Sequence, residues 1–290
     1  MKEVYDVIIL GCGPAGVSAA LYAGRSNLRT LVIGGNESSL LKAEKIANYY
    51  GLQDAPTGKD LFDKGIKQLS ELKLSRVDEE VINIEYMDDY RVETDKGSEY
   101  HARALIICTG AKRVKPNIAQ LEKYEGFGVS YCAICDAFFY RQKNVCVLGS
   151  GAYALHEVKT LLQTAAKVTL LTNGEALSAD FPEEVDILPY PIDSLIGNEA
   201  LETVVFKNGD KLPVSGMFVA LGVAGASDLA RKLGTQVDGA NIVTDENMAT
   251  MLPGLFAAGD CTGGVLQVST AVAEGAKAAL STIKYLRKQS

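Results

Sequence analysis

The stretch that decides the fold runs from Val4 to Arg25 and reads VYDVIILGCGPAGVSAALYAGR. Its first part, Val4–Leu10, is a nearly continuous apolar run, which is typical of a strand buried in a parallel sheet. The turn GCGPAG follows, and then an Ala- and Leu-rich segment predicts a helix that ends near Arg25. A Gly-x-Gly-x-x-Gly turn between a strand and a helix brings backbone amides and the positive helix end to a pyrophosphate. This stretch therefore predicts a dinucleotide-binding unit.

The same pattern returns in the middle of the chain. Asn144–Leu148 predicts a strand, GSGAYA at Gly149–Ala154 is a second glycine-rich turn, and a helix is expected to about Ala165. Another strand is expected at Lys167–Leu171. The repetition indicates that a whole dinucleotide-binding unit is duplicated, because the two turns lie too far apart for a short solenoid repeat.

Further elements are predicted between and after the two turns. They are strands at Thr30–Ile33, Val77–Tyr86, Ala104–Cys108 and Leu255–Ala258, helices at about Gly58–Leu72 and Gln267–Leu286, and hairpins at Asp95–Gly97 and Asn208–Gly209. The apolar strand at Leu255–Ala258, followed by Gly259-Asp260 and a helix, is typical of a returning part of the first unit.

Composition limits the classes of protein that fit this chain of 290 residues. Hydrophobic residues make up 47% and charged residues 22%, as in ordinary globular domains. The net charge of −7 makes a nucleic-acid partner unexpected. No apolar run approaches the roughly 20 residues that a membrane helix needs, and the N-terminal segment does not read as a secretory signal. We therefore expect a cytoplasmic protein without a membrane contact.

Six cysteines are present, and only Cys132 and Cys135 form a close pair. At positions i and i+3 of a helix start, two thiols can close a small disulfide ring, and the helix N-terminus favours the thiolate. Two inert buried thiols or a zinc site are the alternatives, although zinc needs about four ligands. The adjacent Asp136 is either a proton donor and acceptor for the pair or a carboxylate that stabilises the first helical turn.

Taken together, GCGPAG, CTGA at Cys108–Ala111, CAICD at Cys132–Asp136, the second glycine turn and AAGD at Ala257–Asp260 resemble the low-molecular-weight thioredoxin reductases. The resemblance covers essentially the whole chain. It implies an α/β fold of two Rossmann-like, three-layer ββα nucleotide-binding domains, the second inserted into the first. Residues 1–112 and 242–290 would form the FAD-binding domain, and residues 113–241 the inserted domain that carries the cysteines. It also implies a homodimer with one FAD per chain.

The resemblance also implies residue roles. The FAD-binding residues would be Gly11, Gly13, Pro14, Ala15, Gly16, Asn48, Val81, Thr109, Gly110, Gly259, Asp260, Gln267 and Val268. Cys135 would lie nearer the flavin, Cys132 would be the interchange thiolate that attacks thioredoxin, and Asp136 would manage the proton.

Three departures from this family pattern affect cofactor binding. Where NADPH-dependent members carry a basic HRRxxxR motif for the 2′-phosphate, this chain reads TNGEALS at Thr172–Ser178. Each lost charge-assisted contact removes about 1.5–3 kcal/mol, so NADPH is not expected to bind. Leu266-Gln267 replaces a family Arg-Gln pair, and Ser38-Ser39-Leu40 stands where the family has Gly-Gly-Gln.

A flavin and a dithiol without a pyridine-nucleotide site need another electron source. In this respect the chain is similar to the flavin-type ferredoxin–thioredoxin reductases, so the resemblance implies ferredoxin and thioredoxin as partners. Lys112, Arg113, Lys115, Arg141 and Lys143 are either a docking patch for an acidic ferredoxin or ordinary surface charge. The alternatives are an NADPH-dependent thioredoxin reductase and a non-catalytic flavin and dithiol redox sensor.

Overall fold

The chain folds into two compact units. The structure is a computed structural model that describes residues 3–36, 38–110, 116–222 and 224–289. Unit 1 comprises Met1–Arg113 and Gly225–Ser290, and unit 2 comprises Val114–Ala224.

The secondary structure elements are numbered in chain order. The strands are β1 (Val4–Leu10), β2 (Thr30–Ile33), β3 (Ser75–Val77), β4 (Val81–Tyr86), β5 (Tyr90–Thr94), β6 (Glu99–Ile107), β7 (Val129–Ser130), β8 (Asn144–Leu148), β9 (Lys167–Leu171), β10 (Asp186–Leu188), β11 (Ile192–Ile196), β12 (Thr203–Phe206), β13 (Lys211–Pro213), β14 (Gly216–Val219), β15 (Val237–Asp238), β16 (Asn241–Ile242) and β17 (Leu255–Ala257). The helices are α1 (Pro14–Arg25), α2 (Gly58–Glu71), α3 (Ala133–Asp136), α4 (Ala152–Leu162), α5 (Ala226–Lys232) and α6 (Val268–Lys288). Short 3₁₀ helices lie at Ser39–Lys42, Glu122–Tyr124, Ala137–Tyr140 and Asp260–Thr262.

Unit 1 is built on a seven-stranded sheet. Its strand order is β3-β2-β1-β6-β5-β4, with β17 also paired to β6. The strands β3, β2, β1, β6 and β17 are parallel, whereas β4 and β5 are antiparallel additions. Side chains from Val7 to Leu10 are fully buried, as the continuous apolar run predicts.

Helices α1 and α6 pack tightly beside the parallel strands, and glycine makes their close approach possible. A Cβ on Gly275 of α6 would lie 2.1 Å from the carbonyl oxygen of Ala15 on α1. The Ser18 hydroxyl on α1 donates to the carbonyl of Val272 at 2.7 Å, which fixes the register of the two helices. The N-terminus of α1, and with it the glycine-rich turn, is therefore held against the first turns of α6.

Unit 2 repeats the parallel arrangement. Its five-stranded parallel sheet has the order β10-β9-β8-β14-β7, and a separate antiparallel sheet consists of β11-β12-β13. The second glycine-rich turn lies between β8 and α4, as predicted. The fold class is thus confirmed as α/β with two Rossmann-like units.

Two details differ from the sequence predictions. The segment predicted as one strand at Val77–Tyr86 is split, because β3 pairs in parallel with β2 whereas β4 pairs antiparallel with β5. The acidic residues Asp78, Glu79 and Glu80 lie between the two strands. The Glu79 carboxylate accepts a hydrogen bond from Thr94 Oγ1 on β5 at 2.7 Å.

The return to unit 1 also comes earlier than the predicted start at residue 242. Helix α5 contacts β4, and the Lys232 ammonium group donates to the carbonyl of Ile82 at 3.2 Å, so Gly225 onward belongs to unit 1. The predicted outward crossover lies outside the described residues, as do Lys112, Arg113 and Lys115.

Candidate active site

The glycine-rich turn of unit 1 is possible only with glycine at its first and third glycine positions. Gly11 has a φ of +105°, and a Cβ there would lie 2.4 Å from the carbonyl oxygen of Cys108. A Cβ on Gly16 would lie 1.9 Å from the carbonyl oxygen of Gly11. These contacts press the start of α1 onto β1 and β6, and Gly13 becomes the N-cap of α1 without a side-chain cap among the described residues.

A cavity of about 300 Å³ opens at this turn, within the size range of cofactor sites. Most of the predicted cofactor residues line it: Gly11, Gly13, Pro14, Ala15, Asn48, Thr109, Gly110, Gly259, Asp260, Gln267 and Val268. Ser38, Ser39 and Leu266, which replace family residues, line it as well. Two predicted residues do not line it: Gly16 is packed under the turn, and Val81 is buried at the start of β4.

Two residues that line the cavity, from distant parts of the chain, are joined by a hydrogen bond. Asn48 Nδ2 donates to Gln267 Oε1 at 2.8 Å. Gln267 is the N-cap of α6, and Asn48 lies in the loop before α2. The helix start and the loop are thereby joined next to the glycine-rich turn.

The cavity fits the pyrophosphate and polar edges of a dinucleotide such as FAD. Among the described residues, the buried Thr109 hydroxyl oxygen has no hydrogen-bond partner, although it belongs to a residue that lines the cavity. Buried hydroxyls are rarely left unpaired, so a ligand atom is expected to complete it. The uncapped start of α1 offers its amides and positive end to an anion.

Sequence reasoning missed two residues that shape this cavity. Glu274 on α6 accepts a hydrogen bond from the Gly259 amide at 2.8 Å and another from Thr262 Oγ1 at 3.2 Å. Gly259 has a φ of +83°, which glycine adopts without strain, and the carboxylate holds the turn that carries Asp260. A charged residue in the middle of an amphipathic helix gives no signal of this role in the sequence.

The second missed residue is Arg76 on β3. Its guanidinium donates to Cys12 Sγ at 3.2 Å and to Asn36 Oδ1 at 2.9 Å. Burial raises the pKa of the Cys12 thiol, and the hydrogen bond and charge of Arg76 act in the opposite direction. Cys12 lies inside the glycine-rich turn, so Arg76 places a positive charge beside the cavity.

In unit 2 the cysteine pair forms a disulfide, Cys132–Cys135, with the two Cα atoms 5.3 Å apart. Cys132 is the N-cap of the single-turn helix α3, and its sulfur accepts from the Cys135 amide at 3.2 Å. Cys132 is 3% exposed, whereas Cys135 is exposed to solvent. The other four cysteines are buried free thiols, and no metal-ligand cluster occurs among the described residues.

Asp136 is tied to the strand that precedes the disulfide. Its Oδ2 accepts from the Ser130 hydroxyl at 2.6 Å, while Ser130 Oγ accepts from the Cys132 amide at 3.1 Å. The predicted residues Cys132, Cys135 and Asp136 therefore lie in one small hydrogen-bonded turn.

Helix α4 also holds this turn. The carboxylate of Glu157, which is 1% exposed, accepts from the Ala133 amide at 2.5 Å. Tyr153, one turn earlier on α4, donates its hydroxyl to the carbonyl of Tyr131 at 3.0 Å. Sequence analysis assigned no role to these two residues, because their backbone partners lie 22 and 24 residues away in the chain.

In unit 2, the segment Thr172–Ser178 stands where NADPH-dependent members would bind the 2′-phosphate, and it has no basic side chain. Thr172 is buried at the end of β9, and Asn173 Oδ1 accepts from the Ile192 amide at 2.7 Å. At the other end of the segment, the Ser178 amide donates to the carbonyl of Ser150 within the second glycine turn at 2.9 Å. Asn173 and Ser178 thus hold the segment onto the unit itself, whereas the buried Thr172 Oγ1 has no hydrogen-bond partner among the described residues.

An α/β fold of two Rossmann-like units, one with a dinucleotide cavity and one with a redox-active disulfide, defines a flavin-dependent disulfide oxidoreductase. Residues 5–275 match the family model described as pyridine nucleotide-disulphide oxidoreductase. The chain belongs to this family and to its thioredoxin reductase members. Family membership implies FAD as the cofactor.

Three relatives illustrate the similarity. Thioredoxin reductase of Peptoclostridium acidaminophilum is 32% identical, over 99% of this chain and 98% of the relative. The crystal structure of the atypical thioredoxin reductase TRi from Desulfovibrio vulgaris Hildenborough has a TM-score of 0.90 and 38% identity, covering 98% of both chains. A ferredoxin-flavin thioredoxin reductase from Clostridium acetobutylicum has a TM-score of 0.72 and 30% identity, covering 99% of this chain and 100% of that one.

Within the described residues, every helix is too short or too polar to traverse a bilayer.

Proposed function

We propose that this protein reduces the disulfide of a thioredoxin through Cys132 and Cys135, with electrons from a reduced ferredoxin and not from a pyridine nucleotide. The observation that carries the choice of donor is the segment Thr172–Ser178, which has no Lys or Arg. Residues 168–206 as a whole contain carboxylates and no basic residue. An adenosine 2′-phosphate would meet neither a positive charge nor a bidentate donor there.

The residues of unit 1 would bind FAD through the glycine-rich turn and the start of α1. Amides of this turn would hold the pyrophosphate, and the Thr109 hydroxyl and the Asn48–Gln267 pair would contact the polar edges of the ligand. Bound FAD supplies the ability to collect single electrons and to deliver a pair. The likeness to the ferredoxin-flavin reductase of Clostridium acetobutylicum supports this use of it.

The energetics favour this direction of electron flow. The reduction potential of low-potential ferredoxins is about −400 mV, and that of thioredoxin is about −270 mV. A two-electron transfer across this gap releases roughly 6 kcal/mol, since 30 mV corresponds to about 1.4 kcal/mol.

The disulfide exchange itself follows from the two cysteines. Two electrons break the Cys132–Cys135 bond, and a thiolate of the pair attacks the thioredoxin disulfide, which forms a mixed disulfide and releases one thioredoxin thiolate. The second cysteine then attacks the mixed bond, so the intramolecular disulfide reforms and thioredoxin leaves as a dithiol. In the oxidised structure Cys135 is the exposed partner. We therefore assign the outward attack to Cys135, although the family resemblance implies this role for Cys132.

We assign the proton in this exchange to Asp136, the role that the family resemblance implies. Its carboxylate already shares a short network with Ser130 and the Cys132 amide. It would accept a proton when a thiol becomes the attacking thiolate and return it to the leaving sulfur.

A homodimer is part of the proposal. A largely apolar groove of unit 1 between α1 and α2 is lined by Leu21, Tyr22, Tyr49, Leu61 and Phe62, and Tyr22 is 44% exposed. Light scattering of the purified protein tests it: a monomer mass at micromolar concentration would contradict the dimer.

An anaerobic reduction experiment tests the donor. The flavin absorbance of the purified protein is followed after mixing with reduced ferredoxin, NADPH or NADH. We expect bleaching by ferredoxin within seconds and none by either nucleotide at micromolar concentration. Rapid bleaching by NADPH would overturn the donor proposal and favour an NADPH-dependent thioredoxin reductase, for which the retained second glycine turn is the supporting observation.

A second readout separates the enzyme from a redox sensor. Addition of oxidised thioredoxin to the ferredoxin-reduced protein is expected to restore the flavin absorbance with turnover. Bleaching without turnover would contradict the reductase and favour a sensor.

A further inference from the structure

The wall of the cavity in unit 1 carries a basic side chain to which no role has yet been given. Lys45 lines the cavity, and Asp260 is the other charged residue among the described residues that do so. Lys45 lies in the loop between the 3₁₀ helix at Ser39–Lys42 and α2. The cavity that receives the glycine-rich turn is therefore also faced by a lysine from a distant loop.

Backbone hydrogen bonds fix the segment that carries Lys45. The carbonyl of Ala43 accepts from the Gly58 amide at 2.7 Å, and the Ile46 amide donates to the carbonyl of Pro56 at 2.9 Å. Ile46 is also buried in the hydrophobic core of unit 1. The backbone on both sides of Lys45 is thus held in place before a ligand binds.

The ammonium group of Lys45 is not used by the protein itself. In the described part of the chain it has no hydrogen bond and no ion pair, and the side chain is exposed. The guanidinium of Arg76, which also lies beside the glycine-rich turn, already donates to Cys12 Sγ and Asn36 Oδ1. Of these two cations, Lys45 is therefore the one whose donors are free for a ligand.

A dinucleotide needs such a cation at this place. Its pyrophosphate carries about two negative charges, whereas the start of α1 supplies the equivalent of about half a positive charge. Asp260 contributes a carboxylate, which has the same sign of charge as the phosphates. A lysine adds a full positive charge and three donors on a flexible stem.

We propose that Lys45 is a further cofactor-binding residue, whose ammonium group pairs with the pyrophosphate of FAD when FAD occupies the cavity. The proposal rests on the binding of FAD by unit 1, and it depends neither on the electron donor nor on the disulfide exchange. It adds a charged contact from the loop before α2 to the amides of the glycine-rich turn.

The test titrates the full-length apoprotein with FAD and follows fluorescence quenching. Lys45→Gln removes the charge and keeps a polar side chain, so we expect the dissociation constant to rise about tenfold. Lys45→Arg keeps the charge and should stay within about threefold of the unaltered protein. Lys42→Gln is the matched control, because Lys42 is exposed nearby but does not line the cavity. An unchanged dissociation constant in Lys45→Gln would overturn the proposal.

Two fragments of the cofactor locate the contact. ADP has the diphosphate without the flavin, whereas riboflavin has the flavin ring without a phosphate, and calorimetry measures the binding of each. We expect Lys45→Gln to weaken ADP about as much as FAD and to leave riboflavin unchanged. A loss confined to riboflavin would show that Lys45 acts on the flavin ring and would refute the pairing with the pyrophosphate.

Ionic strength gives a readout that a change of shape would not move. Salt screens an exposed charge pair, so the dissociation constant of the unaltered protein for FAD should rise between about 0.05 and 0.5 M salt. Lys45→Gln should show a smaller rise, and an equal rise in both proteins would contradict the proposal. Binding is measured without ferredoxin or thioredoxin, so the result stands even if the proposed electron transfer fails.

Discussion

Asn48 and Gln267 are joined by a 2.8 Å hydrogen bond across 219 residues of sequence, at the edge of the cavity in unit 1. Gln267 caps α6, and Asn48 comes from a loop that has no regular structure. The bond therefore fixes the loop to a rigid element beside the glycine-rich turn, and it orders two side chains for a ligand before the ligand binds.

Replacement of this pair is expected to weaken FAD binding. Asn48→Ala removes the bond and one polar contact, which is worth about 0.5–1.5 kcal/mol, so the dissociation constant should rise roughly two- to thirteenfold. Titration of the apoprotein with FAD, followed by fluorescence quenching, measures it. Asn208→Ala in the exposed β12–β13 hairpin is the matched control, and equal affinity of Asn48→Ala and this control would contradict the expectation.

Single-cysteine variants are expected to distinguish the two thiols. Cys132→Ser keeps the exposed Cys135, so it should accumulate a mixed disulfide with thioredoxin, which non-reducing electrophoresis and mass spectrometry detect. Cys135→Ser leaves only the buried Cys132 and should trap at least tenfold less. Preferential trapping by Cys135→Ser would reverse the assignment and restore Cys132 as the interchange thiol.

Exposed aromatic side chains beside Cys135 are expected to contribute to thioredoxin docking. Phe138 is 76% exposed and Phe139 is 67% exposed, although both are large apolar residues. A Phe138→Ala/Phe139→Ala variant should raise the KM for thioredoxin about tenfold or more, because buried aromatic anchors dominate protein interfaces. Flavin reduction by the electron donor should not change. Phe127→Ala, at another exposed position of unit 2, is the control.

Close packing of α1 on α6 predicts a large effect for one added methyl group. Gly275→Ala would place a carbon 2.1 Å from the Ala15 carbonyl oxygen, so the helices must separate. We expect a loss of about 1–3 kcal/mol in the free energy of unfolding, with weaker FAD binding because the glycine-rich turn moves. Thermal melting and flavin content measure both effects. Ala273→Ser, exposed on the same helix, should leave them unchanged, and a normal melting temperature of Gly275→Ala would refute the packing argument.

Several parts of the site were predictable because local sequence carries their signal. The first glycine-rich turn needs Gly11 and Gly16 for steric reasons, and the Cys132–Cys135 spacing by itself permits a small ring. The strand predicted at Val77–Tyr86 was wrong in its continuity, because apolar residues continue on both sides of the break while their pairing partners differ. Pairing is a property of the sheet and not of the segment.

What the sequence by itself determined is the α/β class, the duplicated dinucleotide unit, the dithiol and the lack of basic residues at Thr172–Ser178, because each depends on residues that are neighbours in the chain. Only the tertiary structure decided which side chains complete the two sites. Glu274 holds the Gly259 turn, Arg76 contacts Cys12 and Glu157 holds the Ala133 amide. Each of these bonds joins groups from different elements, and a charged side chain in a helix or strand carries no sign of its partner until packing brings the two together.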